Sequence, residues 1–168
     1  MTDNILYWFV TVDRNIKNIK LSNVESCVEY CLSHPQGWMK FGYKFQQVPT
    51  KVGLLNIDNP DINIVHIRVA NKTTIQDACD YGELSCTQID NHILYVNASR
   101  WNYGSKQSGL SIEEYRMYVI FHEIGHILGK LDIDNLHDFQ HSSDCPIMYQ
   151  QSISNGSCFP NIFPLDFE

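Results

Sequence analysis

The strongest constraint on the fold comes from one long helical pattern that carries polar groups among apolar ones. It runs from Ile112 to about Leu128 and stops before Gly129, a residue that readily takes the left-handed conformation found at helix ends. Ser111 and Glu114 have the spacing of a capping box, which predicts where the helix begins. At 100° per residue, both faces of this helix are largely apolar. We therefore expect the helix to be buried.

Three side chains of this helix are of types that serve in metal sites. His122, Glu123 and His126 stand in H-E-x-x-H order. Two histidines four residues apart project from adjacent turns of one helix face, so their ring nitrogens can converge on a single ion. At the chain's own residue frequencies, this string arises by chance in on the order of one in a hundred sequences. Burying these groups without a metal ion or hydrogen-bond partners would be costly. The spacing therefore predicts Zn²⁺ bound by His122 and His126.

Glu123 has the position of a general base. It follows the first histidine directly and points to the side of the pair, where its carboxylate can reach a water on the ion without binding the ion itself. The carboxylate would accept the proton of that water as it attacks a peptide carbonyl, and then pass the proton to the leaving amine. The pattern thus favours hydrolysis of peptide bonds.

A catalytic zinc site needs three protein ligands and one open position. Gly129 lets the chain turn sharply, and Asp132 stands three residues later, where the longer form of the motif has a histidine. A carboxylate is an acceptable zinc ligand, although its negative charge should raise the pKa of the bound water. His137 and His141 follow a few residues on, and either takes the same place if the loop bends differently. We predict Asp132 as the third ligand, with these histidines as the alternatives.

The six cysteines include no C-x-x-C pair, which argues against a structural zinc site of the finger type. Cys79 with Cys86, and Cys145 with Cys158, each flank a short, turn-rich segment. Both pairs are therefore predicted to form disulfides, which suit an oxidising compartment. Reduced and mostly buried thiols are the alternative.

A second helix is predicted nearer the amino terminus. Ser22 and Glu25 have capping-box spacing and open a pattern that continues to about Leu32. Cys27 and Cys31 lie four residues apart on it, where a bridge would be strained, so both are expected to be packing residues.

Four segments have the composition or the alternating pattern of β-strands, and one segment is expected to be a flexible loop, residues 103–109. The predicted strands are Ile5–Val12 and the ranges 40–48, 63–70 and 92–98. At 168 residues with 43% hydrophobic content, we expect a single domain spanning residues 1–168. Three N-x-S/T sequons, at Asn71, Asn97 and Asn155, carry no conclusion because the pattern arises often.

Charge and hydropathy exclude several classes of partner. Twelve Lys and Arg against nineteen Asp and Glu give a net charge of −7, with no basic run that could follow phosphates. We therefore expect no nucleic-acid partner. No apolar run approaches the roughly 20 residues needed to cross a bilayer, and the first strand is preceded by Asp3 rather than by basic residues. We expect a soluble monomer, with secretion or another oxidising compartment favoured by the cysteines.

Several segments resemble a known family. The runs YRMYVIFHEIGHILG (115–129), PIMYQQ (146–151) and CFPNIFP (158–164) are similar to a family of bacterial zincin-like proteins known only as a domain of unknown function, itself similar to the metzincin metallopeptidases. The pieces CLSHPQGW, CDYGELSC and NASRW also resemble it, so the likeness covers most of the chain.

The resemblance implies an α+β, metzincin-like fold: a twisted mixed sheet packed on helices above a cleft, with an upper lobe of about 1–129 and a small irregular C-terminal lobe of about 130–168. It also implies that Met148 forms a Met-turn, a tight turn that places a methionine under the metal site. The chain departs from the family at Asp132, where the family has a histidine, and Tyr149 follows Met148 directly, so no metal role is assigned to it.

Two functions from different classes are consistent with these residues. The first is a zinc metalloendopeptidase that acts on a peptide or protein substrate. The second is a catalytically inactive zincin-like binding or structural module, in which zinc only holds the two lobes together. Glu123 favours the first, because a structural site needs no base and normally has four protein ligands.

Overall fold

The structure is a computed structural model that describes residues 5–136 and 143–168. A five-stranded mixed sheet forms its centre. Its strand order is β2-β1-β3-β5-β4. Four neighbouring strands run parallel, and the edge strand β4 is antiparallel to β5. The strands are β1 (Ile5–Val12), β2 (Lys44–Gln47), β3 (Ile64–Ala70), β4 (Cys86–Gln88) and β5 (Ile93–Asn97).

Within the described residues five helices accompany the sheet, so the predicted α+β class is confirmed. They are α1 (Leu21–Ser33), α2 (Thr50–Asn56), α3 (Lys72–Cys79), α4 (Ala98–Tyr103) and α5 (Ile112–Ile127), with short 3₁₀ helices at Trp38–Phe41 and Lys106–Ser108. None of the helices within the described ranges is both long and apolar enough to cross a bilayer.

Alternate residues of the central strands face two different groups of helices. Trp8, Val10 and Ile67 belong to the main core, which also contains buried residues of α1 and α5. On the other face, Phe9 lies against Gly53 of α2, where an added Cβ would come within 2.2 Å of the Phe9 ring. Both faces of the sheet are therefore covered, as expected for strands in parallel pairing.

The helix α5 is buried as predicted, from Tyr118 through Gly125 without interruption. Its capping box is confirmed: the Ser111 hydroxyl accepts from the Glu114 N–H at 3.2 Å, and the Glu114 carboxylate accepts from the Ser111 N–H at 2.8 Å. Trp38, which precedes α5 in the chain, holds this helix through a hydrogen bond: its indole N–H donates to the Phe121 carbonyl at 2.8 Å.

The other predicted capping box is wrong. Helix α1 begins at Leu21, after Lys20, and no side chain caps it. Ser22 therefore lies inside the first turn, and its carbonyl accepts from the Ser26 hydroxyl at 2.8 Å. The spacing of Ser22 and Glu25 was present, but the chain enters the helix before Ser22.

Two further predictions need correction. The strand predicted over 40–48 is limited to Lys44–Gln47, because the 3₁₀ helix Trp38–Phe41 occupies its start and ends at Gly42 with φ of 88°. The loop 103–109 contains a 3₁₀ helix, and its Ser105 is buried with its hydroxyl donating to the Ser152 carbonyl at 2.6 Å.

Three short helices and one strand were not predicted, namely α2, α3, α4 and β4. Two of the helices follow a strand directly and begin at an asparagine of a sequon. The side chain of Asn71 accepts from the Thr74 N–H, and that of Asn97 accepts from the Arg100 N–H, each at 3.0 Å. Asn97 is 3% exposed and its amide nitrogen donates to Gly82 at 2.7 Å. These two asparagines therefore act as helix N-caps.

The disulfide predictions are confirmed. Cys79 and Cys86 are bridged across the loop between α3 and β4, and Cys145 and Cys158 are bridged within the C-terminal segment. Cys27 and Cys31 are free thiols, as predicted, and Cys31 is fully buried.

A partly buried histidine of the sheet, His66, is expected to make the stability depend on pH. His66 of β3 stacks on Phe9 with ring centroids 4.5 Å apart, and its Nε2 lies 2.6 Å from the Thr11 hydroxyl oxygen. Burial, followed by the charge on Arg68, lowers the pKa of His66 to about 4, and the nearby Asp13 acts in the opposite direction.

We expect the free energy of unfolding to fall between pH 6.5 and about pH 4 because of His66. In this window the unfolded chain binds a proton at His66 that the folded chain excludes, so stability rises with pH across it. The full effect is about 3 kcal/mol. Urea denaturation at pH 7.0, 5.5 and 4.5 should show a smaller loss in His66→Gln than in the unmodified protein. Equal losses in both proteins would show that His66 is not responsible.

Candidate metal centre

The two histidines of α5 are held in one tautomer by backbone carbonyls. His122 Nδ1 lies 2.8 Å from the Ile147 oxygen, and His126 Nδ1 lies 2.9 Å from the Lys130 oxygen. A carbonyl can only accept, so in each ring Nδ1 carries the proton. The neutral rings therefore present their unprotonated Nε2 atoms as electron-pair donors, which is the form that binds metal ions.

Asp132 brings a carboxylate oxygen to both of these nitrogens. Its Oδ1 lies 3.3 Å from His122 Nε2 and 3.5 Å from His126 Nε2. The ligand atoms of the three residues lie within 4.8 Å of one another. The adjacent imidazoles of His122 and then His126 hold the pKa of Asp132 well below its usual range, so the carboxylate is ionised at neutral pH. Three electron-pair donors thus converge on one point.

The end of α5 explains why Asp132 returns to the histidines. Gly129 has φ of 83° and its N–H donates to the His126 carbonyl at 3.0 Å, while the Lys130 N–H donates to the Gly125 carbonyl at 2.9 Å. These two bonds define a Schellman motif, which reverses the chain direction. The same turn brings the Lys130 carbonyl to His126, and the sharp turn predicted at Gly129 is confirmed.

The His122 ring shows that the group fits a cation. His122 is 2% exposed, and its Nε2 has no hydrogen-bond partner within the described ranges. A buried polar atom without a partner is unfavourable, and a neighbouring carboxylate oxygen offers no proton to it. A metal ion or a proton between His122 Nε2 and the Asp132 carboxylate would give both atoms a partner. Burial lowers the pKa of His126, but the adjacent Asp132 carboxylate and the charge on Glu123 outweigh burial and raise that pKa.

Glu123 lies beside this group without joining it. The residue is 5% exposed, and the Thr87 hydroxyl of β4 donates to its Oε2 at 2.6 Å. The hydroxyl therefore orients the carboxylate toward the edge strand. No sequence pattern marks Thr87, because β4 has only three residues and no usable periodicity.

Met148 lies against the part of α5 that carries His122 and His126. Pro146 and Tyr149 close a turn through a 3.1 Å bond from the Tyr149 N–H to the Pro146 carbonyl, and Met148 within it is 1% exposed. A Cβ added to Gly125, between the two histidines, would come within 2.4 Å of the Met148 sulfur and 2.9 Å of the Trp38 ring. The helix and the turn are therefore in close contact at a position where only glycine fits.

A cleft of about 450 Å³ opens onto the candidate ligands. Glu123, His126 and Asp132 line it together with residues of β4 and of the disulfide-closed loop before β4. Three exposed apolar side chains also line the cleft, namely Tyr81, Ile89 and Leu131. Burial, followed by the charges of Glu123 and Asp132, raises the pKa of Tyr81, so its phenol stays protonated beside these carboxylates.

Some of the predicted site residues lie within the described residues and others lie outside them. The structure brings His122, His126 and Asp132 together, and Glu123 lies next to them on the same helix. The alternative ligands His137 and His141 lie outside the described residues. Within the described ranges, no fourth His, Cys, Asp or Glu joins the group.

Fold and site together define an α+β protein with a histidine–histidine–aspartate group and a buried glutamate at one open cleft. A family model described as "Protein of unknown function (DUF3152)" matches residues 4–166, and the chain belongs to this family. No curated protein and no solved structure matches the chain.

Proposed function

We propose that this protein is a zinc-dependent metalloendopeptidase with a metzincin-like arrangement of its site. His122, His126 and Asp132 would hold the ion, and Glu123 would be the general base. The observation that carries the proposal is the buried Nε2 of His122, which has no partner in the described part of the chain and is directed, with His126 Nε2, at the Asp132 carboxylate.

The donor set suits zinc. Two imidazole nitrogens and one carboxylate oxygen are the ligands of catalytic zinc sites, whereas calcium and magnesium prefer oxygen alone. A bound zinc ion supplies Lewis acidity, which makes water a nucleophile at neutral pH and polarises a carbonyl group. Three ligands leave a position for substrate, which favours a catalytic site over a structural one.

The chain's own residues provide the proton transfers. Glu123 lines the cleft beside the ligands, and its carboxylate can accept a proton from the attacking water. The Thr87 hydroxyl holds Glu123 Oε2 at 2.6 Å, so the orientation of the base is set before substrate arrives. Glu123 then delivers the proton to the leaving amine.

The position of β4 supports an extended peptide as the substrate. It is the edge strand of the sheet, and Cys86, Thr87 and Gln88 of this strand line the cleft. An extended peptide can add to such an edge through main-chain hydrogen bonds. Tyr81, Ile89 and Leu131 offer apolar contacts to its side chains. Because the cleft is open at the surface, internal bonds of a chain are accessible to it.

Zinc binding is the first test. We expect the unmodified protein to bind one zinc ion per chain after dialysis, and His122→Asn to lower the affinity by more than about a hundredfold, since even outer partners of ligands contribute 10- to 100-fold. His92→Asn is the matched control, because His92 lies outside the group and its φ of 51° suits asparagine. Affinities are measured by competition with a chromogenic chelator. Unmodified protein that takes up no zinc would contradict the proposal.

The third ligand is tested by the same measurement. Asp132→Ala should weaken zinc binding strongly, because it removes the carboxylate oxygen nearest to both histidine Nε2 atoms. An unchanged affinity in Asp132→Ala would assign the third position to another residue, and His137→Ala and His141→Ala would then identify it.

A further inference from the structure

The turn under the metal-binding helix is held by a carboxylate from the end of the described chain. Glu168 Oε1 accepts from the Met148 N–H at 2.8 Å, and Glu168 Oε2 accepts from the Ile147 N–H at 2.9 Å. These are successive N–H groups in the middle of the turn closed by Pro146 and Tyr149. Two consecutive amides directed at one carboxylate form an anion-binding concavity.

The geometry connects this carboxylate to His122 through a single peptide group. The carbonyl of Ile147, which accepts from His122 Nδ1 at 2.8 Å, belongs to the same peptide unit as the N–H of Met148. Glu168 therefore binds one end of a peptide plane and His122 binds the other end. A hydrogen bond to the N–H of a peptide polarises its carbonyl and strengthens the bond that the carbonyl accepts.

A second connection reaches His126. The Lys130 carbonyl accepts from His126 Nδ1 at 2.9 Å, and the Lys130 ammonium donates to the main-chain carbonyl of Glu168. The two residues whose carbonyls orient the histidines, Ile147 and Lys130, are thus both bound to Glu168.

Other contacts fix Glu168 in this place. Its Oε2 also accepts from the Leu165 N–H at 2.7 Å, and its own N–H donates to the Leu165 carbonyl at 3.0 Å. Burial raises the pKa of Glu168, against the bonds from the Leu165, Met148 and Ile147 N–H groups, which lower it. A carboxylate partly removed from water makes stronger bonds to amides than an exposed one.

We propose that Glu168 is a positioning residue of the metal centre, the outer member of a carboxylate–peptide–histidine relay through the Ile147–Met148 peptide group. It fixes the His122 ring and increases the basicity of the nitrogen that faces Asp132. Metal-binding histidines commonly donate their second N–H directly to a carboxylate or a carbonyl. Here the peptide group transmits the effect of a carboxylate that does not touch the ring. This role rests on the proposed zinc site.

The first experiment compares the zinc affinities of Glu168→Ala and Asp166→Ala. Both changes remove one negative charge from the same segment, but Asp166 is 99% exposed and bonds to Lys40. We expect Glu168→Ala to weaken zinc binding by about 10- to 100-fold, and Asp166→Ala by less than about twofold. Glu168→Gln keeps one acceptor oxygen without the charge and should give an intermediate loss. It also serves if the alanine variant does not fold.

The second experiment measures the effect of Glu168 on the His122 ring in protein without metal. In metal-free protein, ¹⁵N NMR of the imidazoles should show His122 protonated at Nδ1, with a shift of the Nδ1 signal in Glu168→Ala and none in Asp166→Ala. A purely structural role would lower the melting temperature while leaving this signal and the zinc affinity of the folded variant unchanged, and that outcome would overturn the inference. If unmodified protein binds no zinc, the proposed function fails, whereas the NMR comparison still decides whether Glu168 acts on His122.

Discussion

Glu123→Gln is expected to lower the rate of peptide hydrolysis by about a thousandfold while zinc stays bound. The amide has nearly the shape of the carboxylate and retains an oxygen that can accept from the Thr87 hydroxyl, so the fold and the three ligands are preserved. It cannot accept a proton from water. The measurement pairs initial rates on a dye-labelled unfolded protein with zinc content by atomic emission.

The control for this prediction is Glu113→Gln, which makes the same chemical change at an exposed position in the first turn of α5. It should retain the unmodified rate. If the Glu123 variant also hydrolyses substrate at that rate with zinc present, Glu123 is not the base. An unmodified protein that binds zinc with no open position and shows no hydrolysis would favour the structural module instead.

Gly125→Ala should destabilise the protein by about 2 kcal/mol, even though alanine is the better helix former by about 1 kcal/mol. The new methyl group would come within 2.4 Å of the Met148 sulfur and 2.9 Å of the Trp38 ring. The ring cannot yield easily, because its N–H is bonded to the Phe121 carbonyl. The helix or the turn must move, and the His122 bond to Ile147 moves with it. Urea denaturation and chelator competition measure the two effects.

Gly129→Ala separates steric conflict from backbone strain. An added Cβ at Gly129 has nothing within 4 Å, but its φ of 83° is unfavourable for alanine. We expect a cost of about 1 kcal/mol there, with no contact to Met148. If Gly125→Ala is as stable as the unmodified protein, the close contact between α5 and the turn at Met148 does not restrict the residue at position 125.

The central part of the site was predictable because its signal is local. His122, Glu123 and His126 lie within five consecutive residues, and helical geometry alone places them together. Asp132 was predictable through Gly129, since a left-handed residue after the helix returns the chain to the same face.

The groups that orient these residues were not predictable. Thr87 reaches Glu123 from a strand 36 residues earlier in the chain, and Glu168 reaches Met148 from 20 residues later. These contacts depend on how the sheet and the C-terminal segment pack against α5. The main-chain carbonyls of Ile147 and Lys130 have no side-chain identity that could mark them.

The fold, like the site, was predictable only where the signal lies in neighbouring residues. The segments of β1, β3 and β5 are rich in buried apolar residues, and all three strands were recognised. The helices α3 and α4 were missed because each has at most eight residues, too few for a clear periodicity. Their start signals, Asn71 and Asn97, were present but had the form of glycosylation sequons. The position of each asparagine, at the end of an apolar strand, indicates a helix N-cap more strongly than a glycosylation site.

The bridge between Cys79 and Cys86 has a consequence for where such a protein can work. Cys86 directly precedes Thr87, whose hydroxyl holds the proposed base. Covalent closure of that loop therefore restrains the very strand that sets the direction of the Glu123 carboxylate. Under the proposed mechanism, reduction of this disulfide would loosen the strand that carries Thr87 and would leave the Glu123 carboxylate less firmly oriented.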